Sequence, residues 1–224
     1  MLTLLKNKNI DGSNLVTIDL VCGGTTLAEV GAQYIEYLEK KYKSKLVEFS
    51  VRYKNPEWTP PFLRAVFENG IVFCKRFYET DYGYAFEHMK KHACYSCRWK
   101  GENHLSDATI GDGWGIDKKD PGYNSAGVSV AFVHTEKGKA LLDELQNFNL
   151  YEADWDKMEA GNPRYTTPKP RLQKDDQFRA DYQKYGLQKA CKKACGLKKR
   201  LLGSIPESAI NLLRKIKQGV EKNI

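Results

Sequence analysis

The 224-residue sequence has no apolar run approaching the roughly 20 residues that span a bilayer, which argues against a transmembrane helix. Its opening, MLTLLKNKNIDG, meets lysine too early for a secretory signal, so a cytoplasmic location is the default expectation. There is no Walker loop, no dinucleotide Gly-x-Gly-x-x-Gly, no His-Glu-x-x-His and no Gly-x-Ser-x-Gly, so the chemistries those motifs serve get no support. Repeats and low-complexity segments are missing too. Histidine is scarce: His88, His92, His104 and His134 are scattered along the chain. His88 and His92 are four apart, which suits a helical metal pair, although surface histidines are the simpler reading.

What is present points to a folded protein. Hydrophobic residues make up 41% and aromatics 12%, enough for one large domain or two small ones. The net charge of +8 suggests a nucleic-acid partner until its distribution is considered. Ten of the 36 basic residues lie from Leu187 onward with only two of the 28 acids, which leaves 26 of each sign in positions 1–186. The body is neutral, and no general nucleic-acid surface is expected on it. Six cysteines without a secretory signal read as metal ligands or free thiols rather than disulfides.

The densest chemistry lies between Cys94 and Gly115, CYSCRWKGENHLSDATIGDGWG. Cys94 and Cys97 have the spacing by which two thiolates of one loop bind the same metal or cluster. A zinc site made of this pair and one histidine stays open beside a cluster or a redox pair. Downstream, the run from Ser106 reads as a short strand entering a Gly-Asp-Gly-Trp-Gly turn, where backbone amides can approach a ligand.

Along the chain, Leu15–Cys22 is β-branched and apolar and predicts a buried strand. Thr25 or Thr26 is expected to cap a helix over 27–43, with Glu29 completing a capping box. Cys22 would then lie at a strand's carboxyl end beside a helix start, where open α/β sheets place ligands; a small buried thiol is the plainer alternative. Leu46–Tyr53 would complete a β-α-β unit with a parallel pair. Residues 62–67 are ambiguous, Gly70–Cys74 suits a short strand, and 77–93 are helical in their second half. Gly127–His134 reads as a strand and Glu136–Phe148 as a helix capped by Thr135, with Leu141, Leu142 and Leu145 inward. An irregular arm over 151–170 and a helix over 173–189 follow. Cys191 and Cys195 are one helical turn apart, a spacing that usually means packing rather than metal. Pro206 can open a final helix whose apolar side carries Ile205, Leu212, Leu213 and Ile216, and whose basic side suits a partner or an anionic membrane surface.

Taken together, Cys94-x-x-Cys97 and the run Ser106-Asp-Ala-Thr-Ile-Gly-Asp-Gly-Trp-Gly115 resemble the signature of the coenzyme F420 hydrogenase/dehydrogenase beta-subunit family. That family typically has Cys-x-x-Cys followed by Asp-Ile-Thr-Ile-Gly-Asp-Phe-Trp-Gly. Val16–Gly23 is similar to its strand ending in Cys-His-Gly, and Gly127–Ser129 through Thr135–Gly138 is similar to its Gly-Val-Ser and Thr-Glu-Lys-Gly segments. The shared order runs from about residue 10 to about residue 180.

The resemblance implies an iron–sulfur flavoprotein that passes electrons between a cluster, FAD and a deazaflavin or related carrier. By position, Cys22, Cys94 and Cys97 would be ligands of a cluster, most simply [4Fe–4S], and Gly111, Asp112, Trp114 and Gly115 would shape the cofactor-facing turn. A redox partner protein or small electron carrier is implied as well. The family's earlier sequence, with another cysteine, has no counterpart here, so the chain is expected to lack the family's N-terminal part, and Cys74 is the candidate fourth ligand. Gly23 and Gly113 stand where the family usually has His and Phe. The expected fold is α/β, a mixed sheet with flanking helices, an irregular arm and a helical basic C-terminal tail. The family-like domain would cover 1–186 and the basic amphipathic tail 187–224. The rival expectation is a non-catalytic interaction domain or remnant whose cysteines hold zinc or nothing.

Overall fold

The computed structural model describes residues 7–55 and 57–195. In chain order the strands are β1 (Ile18–Leu20), β2 (Leu46–Tyr53), β3 (Phe62–Phe67), β4 (Val72–Arg76), β5 (Ala108–Asp112) and β6 (Ser129–Val133). The helices are α1 (Ala28–Tyr42), α2 (Asp81–His88), α3 (His92–Tyr95), α4 (Glu136–Asp143), α5 (Trp155–Gly161), α6 (Pro163–Thr166), α7 (Gln173–Tyr185) and α8 (Leu187–Ala194). Among the described residues, these elements divide into two compact units, one made of the chain up to Gly24 with His92–Pro170, the other of Thr25–Lys91 with the chain from Arg171. The α/β class with flanking helices holds, and the strands form two three-stranded sheets. Among the described residues, no helix is long and apolar enough to cross a membrane.

In the first unit the sheet order is β1-β5-β6, with β1 parallel to β5 and β5 antiparallel to β6. Its core joins Val130 and Phe132 of β6 to Met158 of α5 and Tyr165 of α6. The expected irregular arm over 151–170 thus contains two helices. Asp154 caps α5 by accepting from the Lys157 amide at 2.9 Å, and Pro163 opens α6 at a position where proline's missing N–H does no harm. Thr135 caps α4 as expected, accepting from the Gly138 amide. The helix ends at Asp143, short of Phe148. Leu145 is therefore exposed rather than inward, while Leu141 and Leu142 are half-buried.

In the second unit β2, β3 and β4 form an antiparallel meander. The expected parallel pairing of the first two strands is overturned: the parallel partner of β1 is β5. The reason is visible in β2, where Glu48, Ser50 and Arg52 alternate with Val47, Phe49 and Val51. A strand with one polar face suits an antiparallel sheet. Arg64 on β3 pairs with Glu48 across that face. Nor is β1 the buried strand expected over Leu15–Cys22: Val16, Ile18 and Leu20 are exposed, because its sheet is covered on one face only.

α1 buries Val30, Tyr34 and Leu38 in a core with Leu63, Ala65 and Phe67 of β3 and Phe178 of α7. Burying each large apolar side chain contributes about 1.5–3 kcal/mol. Thr26 does not cap α1. Leu27 holds the cap position, and the Thr26 hydroxyl donates to the Met89 carbonyl at 2.7 Å. His88 is not a surface residue: it is buried with Nδ1 2.9 Å from Asp175 Oδ1. The single helix expected over 173–189 is two, because Gly186 takes φ +77° between α7 and α8. Leu187, Ala190 and Cys191 are the buried stripe of α8, so Cys191 is a core thiol. The helix expected after Pro206 lies outside the described residues.

Candidate functional site

The first unit gathers the three cysteines singled out by their chemistry. β1 runs beside β5, and the pairing continues one step past it through a bond from the Val21 amide to the Ile110 carbonyl, 2.8 Å. This fixes the chain that delivers Cys22. Beyond it, Gly24 at φ +91° turns its amide back to donate to Cys22 Sγ at 3.3 Å. From the other side, α3 carries Cys94 and the turn after it carries Cys97. Cys22, Cys94 and Cys97 line one pocket of about 390 Å³, together with Arg98, Trp99 and Lys100.

The thiols share this pocket without converging on a single ion. Among the described residues, no three His, Cys, Asp or Glu side chains are arranged to hold one metal ion. A cluster sets a different requirement, since its thiolates come from separate positions around a larger body. The donor set fits that requirement in kind: three soft sulfurs, an amide donating to one of them and a part-buried ammonium. It supplies three protein thiols. Cys74, the expected fourth ligand, belongs to the other unit, within β4 opposite Arg64.

Lys100 is a residue that sequence reasoning missed. It is 7% exposed, and Nζ donates to the Cys22 carbonyl at 2.7 Å and the Arg164 carbonyl at 2.6 Å. Nothing in the local sequence marks it, because both partners are far away in the chain.

The Gly111–Gly115 turn is placed by packing. A Cβ at Gly111 would lie 2.8 Å from the Val21 side chain, and one at Gly115 would lie 2.6 Å from the Lys157 carbonyl. The Gly113 amide donates to the Val128 carbonyl, and the Trp114 carbonyl accepts from Asn162 Nδ2 at 3.2 Å. These glycines are thus accounted for by the close approach of β1 and α5. The cofactor-facing role of Gly111, Asp112, Trp114 and Gly115 rests on the family resemblance alone, and none of the four lines the thiol pocket.

A polar group also missed from sequence lies beneath the same strands. His104 Nδ1 meets Asp19 Oδ2 at 2.8 Å, and its Nε2 faces the Tyr165 carbonyl at 3.3 Å. The Thr109 hydroxyl bridges His104 Nδ1 and His134 Nε2 at 3.2 and 2.8 Å. Burial, then the neighbouring His104 ring, hold His134 below the usual histidine range. Burial raises the Asp19 carboxyl, but hydrogen bonds from Thr109 and His104 outweigh it and leave it below the usual range. The sequence did carry one signal here. A carboxylate inside an apolar strand, as at Asp19, is rarely buried without a partner.

Comparison with known protein families matches residues 2–156 to the C terminus of the coenzyme F420 hydrogenase/dehydrogenase beta subunit. The chain belongs to this family. The match includes Cys22, the thiol-bearing loop, the turn and β6, and ends just inside α5. Neither the curated proteins nor the solved structures return a match. Membership in the coenzyme F420 hydrogenase/dehydrogenase beta-subunit family gives the chain a redox context of that type.

Proposed function

We propose that this chain is an electron-transferring component of the coenzyme F420 hydrogenase/dehydrogenase beta-subunit type, with an iron–sulfur cluster held by Cys22, Cys94 and Cys97. In this reading it passes electrons between that cluster, FAD and a deazaflavin-type carrier, working with a protein partner. The observation that carries it is the shared pocket of the three thiols in a chain of this family. When bound, the cluster would supply one-electron storage and the flavin the exchange between single electrons and a hydride.

The protein's own contribution is orientation and charge. The Gly24 N–H donates to Cys22 Sγ and Lys100 Nζ to the Cys22 carbonyl, which fixes the segment that presents this thiol. Arg98 is exposed, its guanidinium 4.7 Å from the Trp99 ring centroid. Anaerobic purification and reconstitution of the full chain tests the reading by iron, acid-labile sulfide and flavin content. Cys94→Ser should lose most of the iron, and Cys191→Ser, which alters a core thiol of the other unit, should keep it. A colourless protein containing only zinc, or equal loss from both variants, would sink the assignment.

A further inference from the structure

Lys100 presents an electrostatic problem that the thiol pocket can solve. The residue is buried and its Nζ bonds are part-buried, yet among the described residues no carboxylate lies within ion-pair distance of the ammonium; its partners are two main-chain carbonyls. Carbonyl dipoles offset part of the desolvation of a cation, but a buried charge ordinarily has an opposite charge beside it. The wall it shares with Cys22, Cys94 and Cys97 offers one only when those sulfurs, or what they hold, are negative. The other cation of the lining, Arg98, is exposed and lies over Trp99, where solvent screens it.

Resting on the cluster reading above, we infer that Lys100 is the built-in counter-charge of this pocket and the positioning residue for Cys22. Its bond to the Cys22 carbonyl fixes the backbone that presents one thiol, and its charge favours an anionic, sulfur-ligated occupant. Adding one electron to such an occupant adds one negative charge, so a fixed neighbouring cation favours the reduced state. Lys100 thereby raises the reduction potential of whatever the three thiols hold. A group serving only as a main-chain clamp would not do this.

The test uses the full chain, reconstituted anaerobically, with iron content and a dithionite-driven redox titration as readouts. Lys100→Gln keeps a donor for the carbonyls without the charge, Lys100→Arg keeps the charge, and Arg98→Gln removes the screened one. The expected result for Lys100→Gln is retained iron with the reduced-to-oxidised ratio at fixed potential lowered about tenfold, equal to about 59 mV for a one-electron couple. Lys100→Arg and Arg98→Gln should stay near the wild type. Should Lys100→Gln lose iron altogether, retention by Lys100→Arg at the wild-type potential supports the role through the charge alone. Unchanged iron and potential in Lys100→Gln overturn the inference while leaving the cluster reading intact. Equal loss of iron from the Gln and Arg variants reduces Lys100 to a clamp and overturns it as well. A wild-type chain that takes up no iron overturns the cluster reading and this inference together.

Discussion

Replacing Asp107 by asparagine would show whether the Ser106-Asp107 segment of the family-like run is there for chemistry or for structure. The carboxylate is buried and accepts three hydrogen bonds. Oδ2 takes the Thr17 amide and hydroxyl at 2.8 Å each, and Oδ1 takes the Thr135 hydroxyl at 2.7 Å. It therefore ties the start of β1 to the start of β5 and to the cap of α4. Hydrogen bonds to a charged acceptor contribute about 1.5–3 kcal/mol each. Asparagine can keep the Thr17 pair on its one oxygen as weaker neutral bonds, while its amide faces a hydroxyl already engaged by Gly138. The expected loss is about 2 kcal/mol, roughly thirtyfold in the unfolding equilibrium. Burial pushes the Asp107 carboxyl up, but the Thr135 and Thr17 bonds outweigh it, so the folded value is below the ordinary 3.8. A carboxyl depressed on folding stabilises above its unfolded value and loses that contribution as pH falls through the folded one. The gap between wild type and Asp107→Asn should thus be full at pH 7 and shrink below about pH 4. Urea unfolding followed by tryptophan fluorescence suits the test, since Trp99, Trp114 and Trp155 all belong to this unit. Equal stability at pH 7, or a gap unchanged down to pH 3, would refute the reasoning.

Gly161→Ala should destabilise the same unit by about 3 kcal/mol, because its Cβ would lie 2.0 Å from the Trp114 carbonyl oxygen and backbone would have to move. Gly101→Ala, at φ +55° with nothing nearer than 3.9 Å, should cost only about 1 kcal/mol in thermal denaturation, and equal losses would mean that α5 does not pack on the turn. His134 is held below the ordinary 6.5, so the unfolded chain binds its proton first and stability falls as pH drops below about 6.5. His134→Phe keeps a ring stacked on His104 and Tyr165 without that titration and should flatten the slope between pH 7 and 5; an unaltered slope would place the titration elsewhere.

Local rules made the fold legible only where one segment decides the outcome. The helical spacing of Val30, Tyr34 and Leu38 predicts α1, and Thr135 predicts the start of α4. Strand pairing is a different matter, because β1 finds its parallel partner 90 residues later, at Ala108 opposite Ile18. No local pattern states that choice, although the alternating polar residues of β2 argue against its being the partner. The break at Gly186 was legible in principle, since a glycine inside a helical pattern is a natural place for positive φ. The fate of Thr26 was not, because its hydroxyl is committed to Met89, far along the chain.

At the candidate site the same division applies, and it changes what the family-like run means. Cys22, Cys94 and Cys97 were legible because thiol chemistry marks a residue whatever surrounds it. Lys100 and His104 were not, since their importance lies in partners the fold supplies. In the run Ser106–Gly115, the contacts that reach toward Cys22 are structural. Asp107 fastens the chain at Thr17, the β5 register holds Ile18, Asp19 and Leu20, and the Ile110 carbonyl holds the Val21 amide. Gly111 leaves room for the Val21 side chain, where a Cβ would come within 2.8 Å. Each contact acts on the five residues that lead into Cys22. The run therefore works as the template that brings Cys22 to the loop bearing Cys94 and Cys97. If the proposed thiol site holds, a substitution within this run should impair it by displacing Cys22 rather than by removing a thiol.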